Sequence, residues 1–261
     1  MNASNEEDEG RKQLIATDAN IDSVPALTPG PAANVKALIA GILIAVAGAW
    51  IAANLADRFR FIENVQHSVK YPGLKHELPS TTLEVGRAAQ NAAVAYALLG
   101  AILSLILGVT AGCFLGRFST PRVLAAGFAG IVLGASFGAA SSYGLTPIYF
   151  HRMGTADVTL SLLIHLGIWT AVGAASGVAF GLGSGSRDVL VRSLVGGITG
   201  AALGTVLFDI SGAFFPLAHT ERPLSEEAGT RLAANIVLCL CVASGIVVVA
   251  SQKTRVTANK A

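Results

Sequence analysis

The sequence predicts an all-α integral membrane protein of six transmembrane helices, and three observations carry that prediction. Only 13% of the 261 residues are charged and 52% are hydrophobic, where soluble domains carry about a quarter charged residues. The mean hydropathy is +0.61. Six apolar stretches each reach the length of about 20 residues that a helix needs to cross the hydrocarbon core. A soluble core of this size cannot hide so much apolar surface, so lipid must cover it.

The first 34 residues hold an acidic run (Glu6, Glu7, Asp8, Glu9) and a Pro/Gly/Ala stretch around Pro29, Gly30 and Pro31. Without a periodic apolar pattern, 1–34 reads as a disordered cytoplasmic tail. It has neither the basic start nor the apolar core of a cleavable signal peptide, so the first span is expected to insert the chain. The spans run Val35 to Ala56, Gln90 to Leu115, Val123 to Tyr143, Leu160 to Leu182, Val191 to Phe214 and Leu232 to Ala250. Residues 251–261 form a cytoplasmic C-terminal tail. The connections after the second and fourth spans are short; the other three are longer and carry Pro and His.

Basic residues near helix ends set orientation. Arg117 and Arg122 flank one short connection and Arg187 and Arg192 the other, while Lys36 precedes the first span and Lys253, Arg255 and Lys260 follow the last. That places both termini in the cytoplasm of a cell whose plasma (inner) membrane holds the protein. Arg58, Arg60, Lys70 and Lys75 in the first outer loop pull the other way.

The glycine pattern suggests an internal repeat. Arg192, Leu194, Gly197, Gly200, Leu203 and Gly204 align with Arg122, Leu124, Gly127, Gly130, Leu133 and Gly134; Lys36, Leu38, Gly41 and Gly48 follow loosely. Glu77, Pro79, Arg87 and Asn91 align with Glu221, Pro223, Arg231 and Asn235, and the fourth span matches poorly. The chain therefore reads as three tandem helical hairpins (35–115, 123–182 and 191–250) with a pseudo-threefold arrangement about the membrane normal. The Pro-x-acid-x-x-basic signature of mitochondrial carriers, which share that broad plan, is absent.

Glycines also recur every fourth position: Gly108, Gly112 and Gly116; Gly130, Gly134 and Gly138; Gly173, Gly177 and Gly181; Gly196, Gly200 and Gly204. Four apart is one helix face, where small residues let backbones approach closely. Such faces serve packing within the chain, a homo-oligomer, or partner membrane helices. The lipid bilayer is the expected environment, and a net charge of +2 gives no argument for nucleic acid.

Several motifs resemble chemistry without its context. Gly134 to Gly138 fits Gly-x-Ser-x-Gly, but that pattern exposes its serine on a strand-to-helix elbow, whereas Ser136 lies inside a span. Intramembrane proteolysis would need a Ser136–His165 dyad. Gly181, Gly183 and Gly185 lack the βαβ setting of a nucleotide loop and read as a flexible helix exit. Cys113, Cys239 and Cys241 have no metal-ligand spacing and read as packing residues. No catalytic residue is assigned.

Polar residues inside a span are costly, which makes them informative. The intramembrane candidates are Asp209, for proton or cation coupling or for reaching the outer interface; His165, a hydrogen-bonded packing histidine with Trp169 one turn on; and Asn91 and Asn235 at matching positions. Glu84 with Arg87 and Glu227 with Arg231 suggest ion pairs on first helical turns. Each outer loop also has a proline followed by a histidine: Pro72 and His76, Pro147 and His151, Pro216 and His219. If the hairpins surround one axis, His76, His151 and His219 converge as a Zn or Cu site, with Glu77 and Glu221 orienting two rings. The expected function is a small-solute or ion transporter or channel-like protein; the alternative is a structural or accessory subunit of a membrane complex.

Overall fold

A computed structural model describes residues 31–59, 82–114, 120–151, 158–214, 220 and 222–251. They form six α-helices: α1 Pro31–Phe59, α2 Thr82–Phe114, α3 Thr120–His151, α4 Val158–Ser184, α5 Arg187–Phe214 and α6 Ala228–Ser251. All six are long and apolar enough to cross a membrane. The chain is a multi-pass, all-α membrane protein. The chain divides between Lys36 and Ala37, and the helix packing belongs to the part from Ala37 on.

Helix ends differ from expectation where hydropathy is blind to them. Residues 31–34, expected in the tail, open α1, and proline suits a first helical position because its missing N–H has no partner there anyway. Helix α2 begins at Thr82 rather than Gln90. Helix α3 continues past Tyr143 to His151 with Pro147 inside it, so Pro147 is not in a loop. Its 32 residues reach about 48 Å, beyond the ~30 Å hydrocarbon core. Hydropathy detects the lipid-buried part of a helix, while the backbone goes on bonding to itself outside it. So near the end of a helix, Pro147 deprives one carbonyl, that of Tyr143, of its i+4 donor.

The turn between α4 and α5 is set by Gly185, whose φ is +70°. Its N–H donates to the carbonyls of Gly181 and Leu182, both at 3.2 Å, which is how a left-handed glycine closes a helix end. The glycine run read as a flexible exit is thus a specific cap at Gly185, while Gly181 and Gly183 face neighbouring helices.

Helix α4 is the centre of the bundle. Its span is 56% buried, against 44% for α2 and 28% for α3 and α6, and it packs on α2, α3 and α5, touching α6. The most extensive contacts join α2 to α3 and α4 to α5, the pairs linked by short connections, followed by α5 with α6. The hairpins of the sequence repeat are therefore not the tightest pairs in space. Their environments also differ, since the poorly matching fourth span is the central one. Helix α1 lies outermost and buries a small-residue stripe of Ala45, Ala49 and Ala52, with Gly48 against Ile102 and Ile106 of α2.

The glycine faces are used inside the chain. A methyl group on Gly134 would lie 2.1 Å from the Gly100 carbonyl oxygen, and one on Gly138 2.2 Å from that of Tyr96, so α3 rests on the backbone of α2. Gly173 and Gly177 meet the carbonyls of Gly197 and Ser193 in the same way, joining α4 to α5, and Gly196 and Gly200 meet those of Gly245 and Cys241, joining α5 to α6. Gly108 approaches α3 and α4, Gly112 meets Val123, and Gly116 lies outside the described residues. These faces are spent on intramolecular packing. The outward faces instead carry Leu124, Phe128, Phe137, Val195, Leu203 and Leu207, bulky side chains suited to lipid.

Candidate functional site

Where α1, α3 and α5 end and α2, α4 and α6 begin, the bundle contains a cleft of about 460 Å³ including its open mouth. Its enclosed part is of water size, room for about one or two waters. Alanines 53 and 56 of α1 and Ala95 of α2 form one side; Tyr96, His165, Trp169 and Phe208 form the floor; Arg222 to Ser225, Arg231 and Asn235 close the rest. Each wall follows from the helix behind it: alanines on α1 and α2 leave room, and the central α4 supplies its single ionisable residue, His165.

His165 is 2% exposed. It sits seven residues into α4, about 10 Å along the helix. Its Nε2 lies 3.0 Å from the carbonyl oxygen of Arg222, and its Nδ1 lies 3.3 Å from Oδ1 of Asp209 on α5, a carboxylate 16% exposed. That second contact is within ion-pair reach but off hydrogen-bond alignment, so Nδ1 and Asp209 Oδ2 are buried without a hydrogen-bond partner. The ring packs edge-on to Phe208, at a centroid distance of 6.0 Å, and beside Trp169 at 6.1 Å. Aromatic neighbours hold it still and exclude water from its faces.

A second chain of bonds runs beside it. The indole Nε1–H of Trp169 donates to Tyr96 Oη at 3.3 Å, and Tyr96 Oη–H donates to the carbonyl oxygen of Pro223 at 2.7 Å. The segment 222–227 thus lies over the cleft as a strap, held from below by Tyr96 and His165. At its other end Arg231, 9% exposed, donates through Nη1 to the carbonyls of Ser225 and Glu226 at 2.9 and 2.6 Å. Its Nη2 pairs with Asp57 at the end of α1. Arg222 pairs with Glu226 along the strap.

Of the sequence candidates, His165 and Asp209 are brought together, and Asn235 joins His165 on the cleft wall. Asn91 is half-buried on α2, one turn before Ala95. The expected Glu227–Arg231 pair is not formed: Arg231 turns to Asp57, and Glu227 accepts instead from the Thr230 hydroxyl at 3.1 Å. Arg231 can reach two carbonyls and a carboxylate at once this way, more than its own helical turn offers. Ser136 is exposed on α3, and both nitrogens of His165 are directed elsewhere, so no Ser136–His165 dyad exists. All three cysteines are free, and Cys241 packs on Gly200 and Gly204.

His151 is exposed at the end of α3; His76 and His219 lie outside the described residues. Among the described residues, no group of three or more His, Cys, Asp or Glu is placed to hold a metal ion. Sequence reasoning missed Tyr96, Asp57 and the 222–227 strap. Tyr96 reads as one more core aromatic and Asp57 as one charge in a mixed outer loop; neither has a local signal. No family model, no curated protein and no solved structure matches this chain.

Proposed function

We propose that this protein is a small-solute or ion transporter whose working site is the cleft between α1, α2, α4, α5 and α6. The observation that carries the reading is the His165–Asp209 pair. Two ionisable side chains within spans, each with a buried polar atom that has no hydrogen-bond partner, are costly to a membrane protein, and His165 lines a water-sized space. Residues that serve packing alone would be cheaper as Leu and Val. The hairpin repeat read from the sequence is in keeping with this, since parallel repeats in transporters are related by an axis along the membrane normal and site their substrates between repeats.

The test is flux. Purified protein in liposomes with a trapped pH-reporting dye, under imposed proton, Na⁺ and K⁺ gradients, is expected to move ions faster than protein-free liposomes. No flux in any gradient, together with a stoichiometric partner retained through purification, would replace this reading with that of an accessory subunit.

The reading places both termini and the short connections in the cytoplasm and the cleft toward the outside of the plasma membrane, on the arginines flanking α2–α3 and α4–α5. A reporter fused after Ala261 is expected to behave as cytoplasmic and one inserted near Gly73 as external. The reverse pattern would put the cleft on the inner side.

A further inference from the structure

The two acceptors around His165 fix how many protons the site must hold. A carbonyl oxygen only accepts, so the 3.0 Å contact with Arg222 requires a hydrogen on Nε2. A neutral imidazole then has a bare lone pair on Nδ1, with Asp209 Oδ1 3.3 Å away though off hydrogen-bond alignment. Facing an ionised carboxylate, that lone pair is repelled. One further proton resolves this, either on Nδ1, giving imidazolium beside carboxylate, or on Asp209, giving neutral imidazole beside carboxylic acid. In both forms the pair is neutral overall.

We infer that the His165–Asp209 pair is a binding site for one proton, and that this proton holds the 222–227 strap closed over the cleft. When the proton leaves for solvent at the cleft mouth, either the Nδ1–H or the carboxyl O–H bond breaks and its electron pair stays behind, making the site singly negative. The one remaining ring hydrogen can then serve Arg222 or Asp209 but not both. Serving Asp209 leaves a lone pair on Nε2 against the Arg222 carbonyl, and the strap loses its bond to α4. Serving Arg222 leaves like against like inside the membrane, where low polarity makes repulsion strong. Release of the proton therefore loosens the strap.

Other charged and titratable groups near the pair come from every side. Tyr96 on α2 donates to the strap itself. Arg231 on α6 is neutralised by Asp57 of α1, and Arg222 on the strap by Glu226; Tyr149 is the buried phenol of α3. Titrating Glu226 would free Arg222 on the acid side, opposite in direction to the proposed effect. The sign of the pH response thus identifies its source.

The inference deepens the transport reading and rests on the same site, naming the proton as its ligand. It is tested by hydrogen exchange of a peptide covering 222–227 in lipid nanodiscs, from about pH 5 to 9, corrected for the intrinsic exchange rate. The closed-to-open ratio is expected to fall as pH rises, by at most about tenfold per pH unit, and to level off once the closed state has lost its proton, as for any one-proton linkage. In Asp209→Asn, the amide N–H can donate to Nδ1 while Nε2–H stays on Arg222, so the strap is expected to remain protected at every pH. In His165→Gln no ring proton exists to be lost, so pH dependence disappears there too. Whichever variant is recovered folded serves as the comparison. Protection independent of pH in the wild type, or the same pH response in a variant, overturns the inference. A pH-sensitive strap in a protein without flux would spare it and sink the transport reading; flux with a pH-insensitive strap would do the opposite.

Discussion

Gly134→Ala is expected to destabilise the protein by about 3 kcal/mol or more, at the upper end of overpacking costs. The added carbon would lie 2.1 Å from the Gly100 carbonyl oxygen and 2.7 Å from Ser104 Oγ. The obstacle is backbone, which cannot rotate away, so α2 and α3 must separate. Separation would also strain neighbouring contacts of the same kind, at Gly130 against the Ser104 carbonyl and at Gly138 against that of Tyr96. Gly144→Ala supplies the control on the same helix. Nothing lies within 4 Å of its added methyl group, so it should be neutral or stabilise by roughly 0.5–1 kcal/mol through helix propensity. Thermal or denaturant unfolding in detergent distinguishes them. Equal stability of the two variants would mean that α2 and α3 are not in backbone contact.

Arg231→Met is expected to cost about 3 kcal/mol, and the carboxylate partner explains little of it. Asp57 is 40% exposed, so the ion pair itself is worth about 1 kcal/mol or less, and Asp57→Asn should show that small loss. The greater part lies in the carbonyls of Ser225 and Glu226, each held by a charge-assisted bond worth roughly 1.5–3 kcal/mol. Ser225 is 6% exposed, so water cannot readily take the place of Arg231. Arg231→Lys should recover only part of the loss, because one ammonium cannot span two carbonyls and a carboxylate as a planar fork does. Unfolding in detergent reads both effects; a larger loss for Asp57→Asn than for Arg231→Met would contradict this division.

The membrane fold was legible because lipid writes it into hydropathy: six runs of sufficient length need no tertiary information. The glycine spacing was legible too, since a four-residue period is one face whatever the fold. His165 and Asp209 each stood out as polar residues in apolar spans. Their pairing did not, because they lie on different helices and only the packing of α4 against α5 aligns them. The strap was illegible for a related reason. Pro223 and Ser225 look like loop residues, and their value lies in carbonyl groups, which every residue has and no sequence pattern marks. The Glu227–Arg231 expectation failed on reach: a buried guanidinium with five donors satisfies more acceptors by turning inward than by pairing within its turn. Pro147 misled because a loop-forming residue is tolerated near the end of a helix that outruns the membrane.

The central claim, that the buried polar pair is the working part of a transporter, meets its most direct test in proton flux through liposomes containing wild-type protein, Asp209→Asn or Ser136→Ala. Ser136 lies on the exposed face of α3, away from the cleft. The account predicts flux above protein-free liposomes for wild type and Ser136→Ala alike, and a loss of about tenfold or more in Asp209→Asn, where the exchangeable proton is gone. Flux unchanged by Asp209→Asn in protein shown to be folded would contradict it.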